Sequence, residues 1–195
     1  MPAHGENASI KAADSHSACA VAGGDMASSK KTGLRSGHVR KYRQVIEALR
    51  KAFGERFMAA VLFGSHARGS ARPGSDHDLF VVIRDVPEDR LRRQWLVRET
   101  LLPILDRLPG PIAFVIKTPE EVDANLTPLL LDICEEGICL YGEEFFAPYR
   151  RKALEAVRQS GLIRTQIGDT LMWVFPNFRY RDWELTWEGF RELPR

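Results

Sequence analysis

Asp76 and Asp78 stand two residues apart at the head of an apolar run, Leu79 to Ile83. Side chains alternate across a strand, so residues i and i+2 share a face. Both carboxylates then point the same way, roughly 6–7 Å apart at their Cα atoms. In a partly buried site, two such anions ~4–8 Å apart repel by about 2–4 kcal/mol at an effective dielectric of about 20. A hard divalent cation relieves that repulsion, and Mg²⁺ keeps open positions for substrate phosphates. Upstream, Gly64-Ser65 closes another apolar run, Ala59 to Phe63. A Gly-Ser pair lets backbone N–H groups approach an anion closely, and the Ser65 hydroxyl can donate to a phosphate oxygen. A phosphate cradle beside a metal clamp is the equipment of phosphoryl or nucleotidyl transfer.

The elements that must hold these residues can be read along the chain. Tyr42, Val45, Ile46, Leu49 and Phe53 recur at helical spacing after Ser36, and Gly54 suits the helix end. Ala59–Phe63 reads as a strand, and Pro73-Gly74 as a turn. Leu79–Ile83, continuously apolar with three β-branched residues, fits a central strand covered on both faces. Residues 87–108 look helical, with Leu91, Trp95, Leu102 and Leu105 near one face and Pro103 as a kink. Ile112–Ile116 is a third strand. Thr118-Pro119-Glu120-Glu121 is a capping box with proline at the first helical position. Thr127-Pro128 starts a second short helix that stops at Gly137, and Ile138–Tyr141 is a fourth strand. The order α, β, β, α, β, α, β predicts an α+β fold: a mixed sheet with helices packed against it. After Pro148 a helix is expected near 150–160, then a hairpin turning at Gly168-Asp169. Trp183, Leu185 and Trp187 alternate as in a strand, although Trp183, Trp187 and Phe190 also fit a helix; the strand is favoured.

Composition narrows the classes. The 195 residues suffice for one ordinary domain plus extras. A net charge of +2 gives no reason to expect nucleic acid or a membrane surface as a partner. No apolar run is long enough for a membrane span. The three cysteines do not form a disulfide framework, so a reducing cytoplasm is the expected compartment. Cys134 and Cys139 lie in apolar sequence and read as core residues. Residues 1–34, rich in Ala, Gly, Ser and Lys, read as a disordered tail. His66 and His77 flank the site and read as polar loop or surface residues. The aromatics Trp173, Phe175, Phe178, Tyr180, Trp183 and Trp187 read as a small core or partner interface before they read as base-stacking platforms.

The string Gly64-Ser65-x-Ala67-Arg68-Gly69, followed by Ser75-Asp76-x-Asp78-Leu79, resembles the signature of the DNA polymerase β-like nucleotidyltransferases, closest to the minimal nucleotidyltransferases of prokaryotes. The likeness implies a nucleotidyltransferase domain over 35–146, with 147–195 as a helix-plus-hairpin extension. It implies transfer of an NMP group from an NTP, with ATP expected, to a hydroxyl of a protein or small molecule, using one or two Mg²⁺ ions. It gives phosphate binding to Gly64 and Ser65, with Arg68 and Ser75 in the same candidate set, and catalysis and metal binding to Asp76 and Asp78. Arg68 can alternatively steady the loop by pairing with one of the aspartates.

The family's third carboxylate belongs on the next long strand. There Ala113 occupies the position, and Ile112–Ile116 contains no acid. Asp106, Glu120, Glu121 and Asp123 lie outside the expected register. Two further readings therefore stand beside the enzyme. One is a catalytically impaired, antitoxin-like module that binds a helical HEPN-type partner or a second copy of itself. The other is a sensor that binds nucleotide without transferring it.

Overall fold

The computed structural model describes residues 37–38, 40–168, 170–176 and 182–193. The expected tail over 1–34, the Ser36 cap, and Phe178 and Tyr180 lie outside them. Four strands form a mixed sheet: β1 (Phe57–Phe63), β2 (His77–Ile83), β3 (Ile112–Lys117) and β4 (Ile138–Tyr141), in the order β3-β2-β1-β4. β2 runs parallel to β3 and antiparallel to β1, which is antiparallel to β4. This is the α+β arrangement the element order predicts.

Helices cover both faces, as the doubly apolar β2 requires. On one face, α1 (Arg43–Phe53) and α3 (Arg90–Leu101) pack against Leu79, Val81 and Ile83. On the other, α5 (Pro128–Glu136) and α6 (Glu143–Ser160) pack with Val61, Phe80 and Val82. Between these helices lie the five-residue α2 (Gly64–Arg68), directly after β1, and α4 (Pro119–Ala124), after β3. The capping box at Thr118 forms with Glu121, and Thr127 caps α5 through the Leu130 N–H. Buried Cys134 and half-buried Cys139 are free thiols in apolar surroundings, and burial pushes both up to about 12.

Three local expectations are corrected. Leu91, Trp95, Leu102 and Leu105 all point outward, with Trp95 66% exposed, and the last two lie beyond α3 in a 3₁₀ segment, Leu102–Arg107. The buried face of α3 is instead Arg93, Val97 and Leu101. Burying Arg93 is tolerated because Glu121 and the Pro87 carbonyl receive its guanidinium. The last long helix starts at Glu143, so Pro148 lies inside it. Two first-turn glutamates favour that early start, and Pro148 is exposed where its missing N–H leaves little to satisfy. The strand at Trp183 ends at Thr186, and Trp187 falls in the turn to the next strand.

Beyond α6 the chain makes two antiparallel hairpins, β5 (Ile163–Ile167) with β6 (Thr170–Val174) and β7 (Trp183–Thr186) with β8 (Gly189–Glu192). The first turns at Gly168, as expected. Trp187 is only 7% exposed, and its Nε1–H donates to the Val122 carbonyl at 2.8 Å. These C-terminal elements share the second core with β1 and β2. Among the described residues no helix is long and apolar enough to cross a membrane.

Candidate active site

β1 and β2 meet at the site. β1 ends on Phe63, the antiparallel partner of Asp78, and the backbone then turns through Gly64 at φ 70° into α2. A Cβ at Gly64 would collide with the Asp78 carboxylate. The left-handed φ and this close approach both call for glycine. The Gly64-Ser65 backbone and the second aspartate, separated in sequence by the loop 69–76, are thus neighbours in space.

Asp76 precedes β2 and is exposed, while Asp78 is half-buried within it. Burial, and then the charge of Asp76, raise the Asp78 pKa; Arg68 and His66 act the other way. Lateral strand partners face the same side, so Asp78 shares its face with Phe63 on β1 and Ala113 on β3. The register Asp78↔Ala113 puts the methyl of Ala113 where the sequence comparison expects an acid.

His77 points to the opposite face. It is 3% exposed, so its expected place on the surface is corrected. The Tyr42 hydroxyl donates to its Nδ1 at 2.5 Å, leaving Nε2–H to donate to the Pro109 carbonyl at 3.2 Å. Burial, with His66 and Lys41 nearby, pushes the His77 pKa down to about 4; the Pro109 carbonyl and Asp76 oppose this. Neutral His77 thereby joins the approach to α1, the start of β2 and the loop before β3. His66 stacks on it with ring centroids 3.7 Å apart and bonds the Ser75 carbonyl at 3.1 Å. The alternation of Asp76-His77-Asp78 places His77 opposite the acids, but nothing in the sequence pairs it with Tyr42.

The other candidates are placed as follows. The Ser75 hydroxyl accepts from the Arg72 N–H at 2.9 Å and closes the turn that carries Pro73-Gly74. Arg68 pairs with Glu136 of α5 at 2.5 Å, a partner that sequence reasoning missed.

The donor set suits a divalent hard cation. Asp76 and Asp78 supply oxygen, and a cation would offset both the burial and the repulsion from Asp76 that raise Asp78. Among the described residues no group of three or more His, Cys, Asp or Glu side chains is placed to hold a metal. Water and substrate phosphates would have to complete the shell, which is the usual habit of Mg²⁺.

Residues 43–128 match the family model described as a nucleotidyltransferase domain. A candidate protein adenylyltransferase of Methanocaldococcus jannaschii is 27% identical over 104 residues, spanning 53% of this chain and 71% of that protein. Two solved structures are more distant. One is a toxin–antitoxin complex with AMP-PNP, at 22% identity and a TM-score of 0.38 over 63% of this chain and 93% of that one. The other is a candidate nucleotidyltransferase from Sulfolobus solfataricus, at 17% identity and a TM-score of 0.40 over 58% and 87%.

Proposed function

We infer, for a chain that carries a nucleotidyltransferase domain over residues 43–128, that it transfers an NMP group from an NTP, taken as ATP, to a hydroxyl of a protein or small molecule. The observation that carries this reading is the contact of the Gly64 backbone with the Asp78 carboxylate, which joins a phosphate loop to a metal clamp. In this reading residues 35–146 form the transferase unit and 147–195 an extension that shares its core.

Gly64 N–H and the Ser65 N–H and hydroxyl bind the phosphates, and Arg68 adds charge. Asp76 and Asp78 hold Mg²⁺, which when bound neutralises charge on the phosphates. The acceptor oxygen bonds to the α-phosphorus as the bond to pyrophosphate breaks. With an alanine beside Asp78, the hydroxyl proton passes to water. The His77–Tyr42 bond keeps both aspartates in register by fixing the start of β2.

The test is incubation with α-labelled ATP, Mg²⁺ and candidate protein acceptors. Label transfer is expected for the native chain and none for Asp78→Asn. Equal labelling by that variant would overturn the reading.

Ala113 favours a second reading, in which transfer is vestigial and the chain acts as an antitoxin-like binder of a helical HEPN-type protein. Isolation from the native host would then yield a stoichiometric complex that survives Asp78→Asn. A chain that purifies alone would dispose of this reading.

A further inference from the structure

Arg68 and Arg164 share one carboxylate. Glu136, in the last turn of α5, receives the Arg68 guanidinium on Oε1 at 2.5 Å and that of Arg164, from β5, on Oε2. Arg164 also reaches Asp132 at 3.1 Å, and Asp132 takes the Trp173 Nε1–H at 2.8 Å. The Glu136 side chain is 11% exposed and that of Arg164 15%, against 33% for Arg68. Two cations thus balance two acids, and the cation nearest solvent is the one on the phosphate loop.

A guanidinium engaged with a carboxylate cannot give the same donors to phosphate. Arg68 spends its Nη1 on Glu136, so a two-pronged grip on phosphate that uses this nitrogen takes Arg68 off Glu136. If Glu136 had no other partner, that departure would strand a largely buried charge, which is strongly unfavourable. Arg164 removes the difficulty, since it already holds the second oxygen of Glu136 and stays when Arg68 departs. Among the described residues the buried Arg164 Nε has no hydrogen-bond partner, so its hold rests on the two terminal nitrogens that grip Glu136 and Asp132.

We propose that Arg164 is a positioning residue for nucleotide binding: by keeping Glu136 paired, it lets Arg68 exchange Glu136 for a phosphate group at the Gly64-Ser65 loop. The hairpin β5–β6 thereby acts on a ligand that it does not touch. The proposal rests on the nucleotidyl-transfer reading above.

The experiment is calorimetric titration of the full chain with AMP-PNP and Mg²⁺, in the wild-type and Glu136→Gln backgrounds. Arg164→Met keeps the packing of the side-chain stem and removes the charge. It is expected to weaken binding about five- to tenfold in the wild type and less than twofold in the Glu136→Gln background, the non-additivity of residues acting through one another. Glu136→Gln alone should bind at least as tightly as wild type, since Arg68 is then free. Equal weakening by Arg164→Met in both backgrounds reports a general field effect or a purely structural role, and overturns the proposal. So does weaker binding by Glu136→Gln, a result that stands even if the Arg164 variant fails to fold. Wild type that binds AMP-PNP no differently from Arg68→Ala overturns the proposal and leaves the transfer reading intact. Wild type that binds no AMP-PNP overturns both.

Discussion

Asp78 and Ala113 are lateral partners in the parallel β2–β3 ladder, on the same face of the sheet. A carboxylate at position 113 would therefore stand beside Asp78 with no change in backbone. Ala113 is half-buried and not sealed in the core, so an aspartate there can stay solvated. Ala113→Asp is expected to raise Mg²⁺-dependent label transfer from ATP by about 10²-fold, the usual scale of a positioned general base. Time courses with α-labelled ATP check this. An unchanged rate would show that the missing acid does not limit this site.

Gly64 brings the backbone close to the Asp78 carboxylate. An alanine there must adopt φ near 70° and push its methyl against Asp78. The left-handed conformation alone is worth roughly 1–2 kcal/mol. Gly64→Ala is expected to lower the melting temperature by several degrees and to abolish detectable nucleotide binding. Ser65→Ala leaves the backbone intact, so it should weaken binding at unchanged melting temperature. Differential scanning fluorimetry with and without Mg²⁺ and AMP-PNP separates the two.

Much of this is legible in the sequence, and the illegible part has a common cause. The four strands and their bounding glycines follow from apolar runs, because burial on both faces of β2 leaves no other pattern open to Leu79–Ile83. Gly64, Ser65, Asp76 and Asp78 announce themselves because short-range spacing encodes their geometry. Pairings across long separations are not encoded that way. Tyr42 with His77, Arg68 with Glu136 and Glu136 with Arg164 join residues whose chemistry permits many partners. The inversion of α3 has the same origin. Its apolar stripe predicts a buried face, but Arg93 finds Glu121 and the Pro87 carbonyl, and the helix turns Leu91 and Trp95 to solvent.

Buried His77 makes stability depend on pH. Its folded pKa, about 4, lies below the ordinary value of 6.5. Between these values the unfolded chain binds the proton and the folded chain does not, so stability falls as the pH drops from about 6.5 to about 4. Asp78, raised in the fold, acts with the opposite sign by taking up a proton earlier when folded. His77→Phe keeps a ring of similar shape and cannot titrate. Its melting temperature should fall less steeply than that of wild type over this window. Parallel pH profiles would contradict the assignment of a neutral, Tyr42-bonded imidazole.

Trp187 tests whether the C-terminal hairpins belong to the core or merely follow it. The indole is buried, packs edge-on to Tyr149 with centroids 5.1 Å apart, and donates to the carbonyl of Val122 in α4. Removing it should therefore act on the whole fold. Trp187→Ala is expected to lower unfolding free energy by about 3–5 kcal/mol, the scale of deleting a buried tryptophan. Trp187→Phe keeps most of the volume and strands the Val122 carbonyl, which should cost about 1–3 kcal/mol. Urea titration followed by far-UV circular dichroism measures both. A single transition shifted to lower urea supports one cooperative unit. An unshifted main transition with early loss of the hairpin signal would make the C-terminal strands an independent attachment.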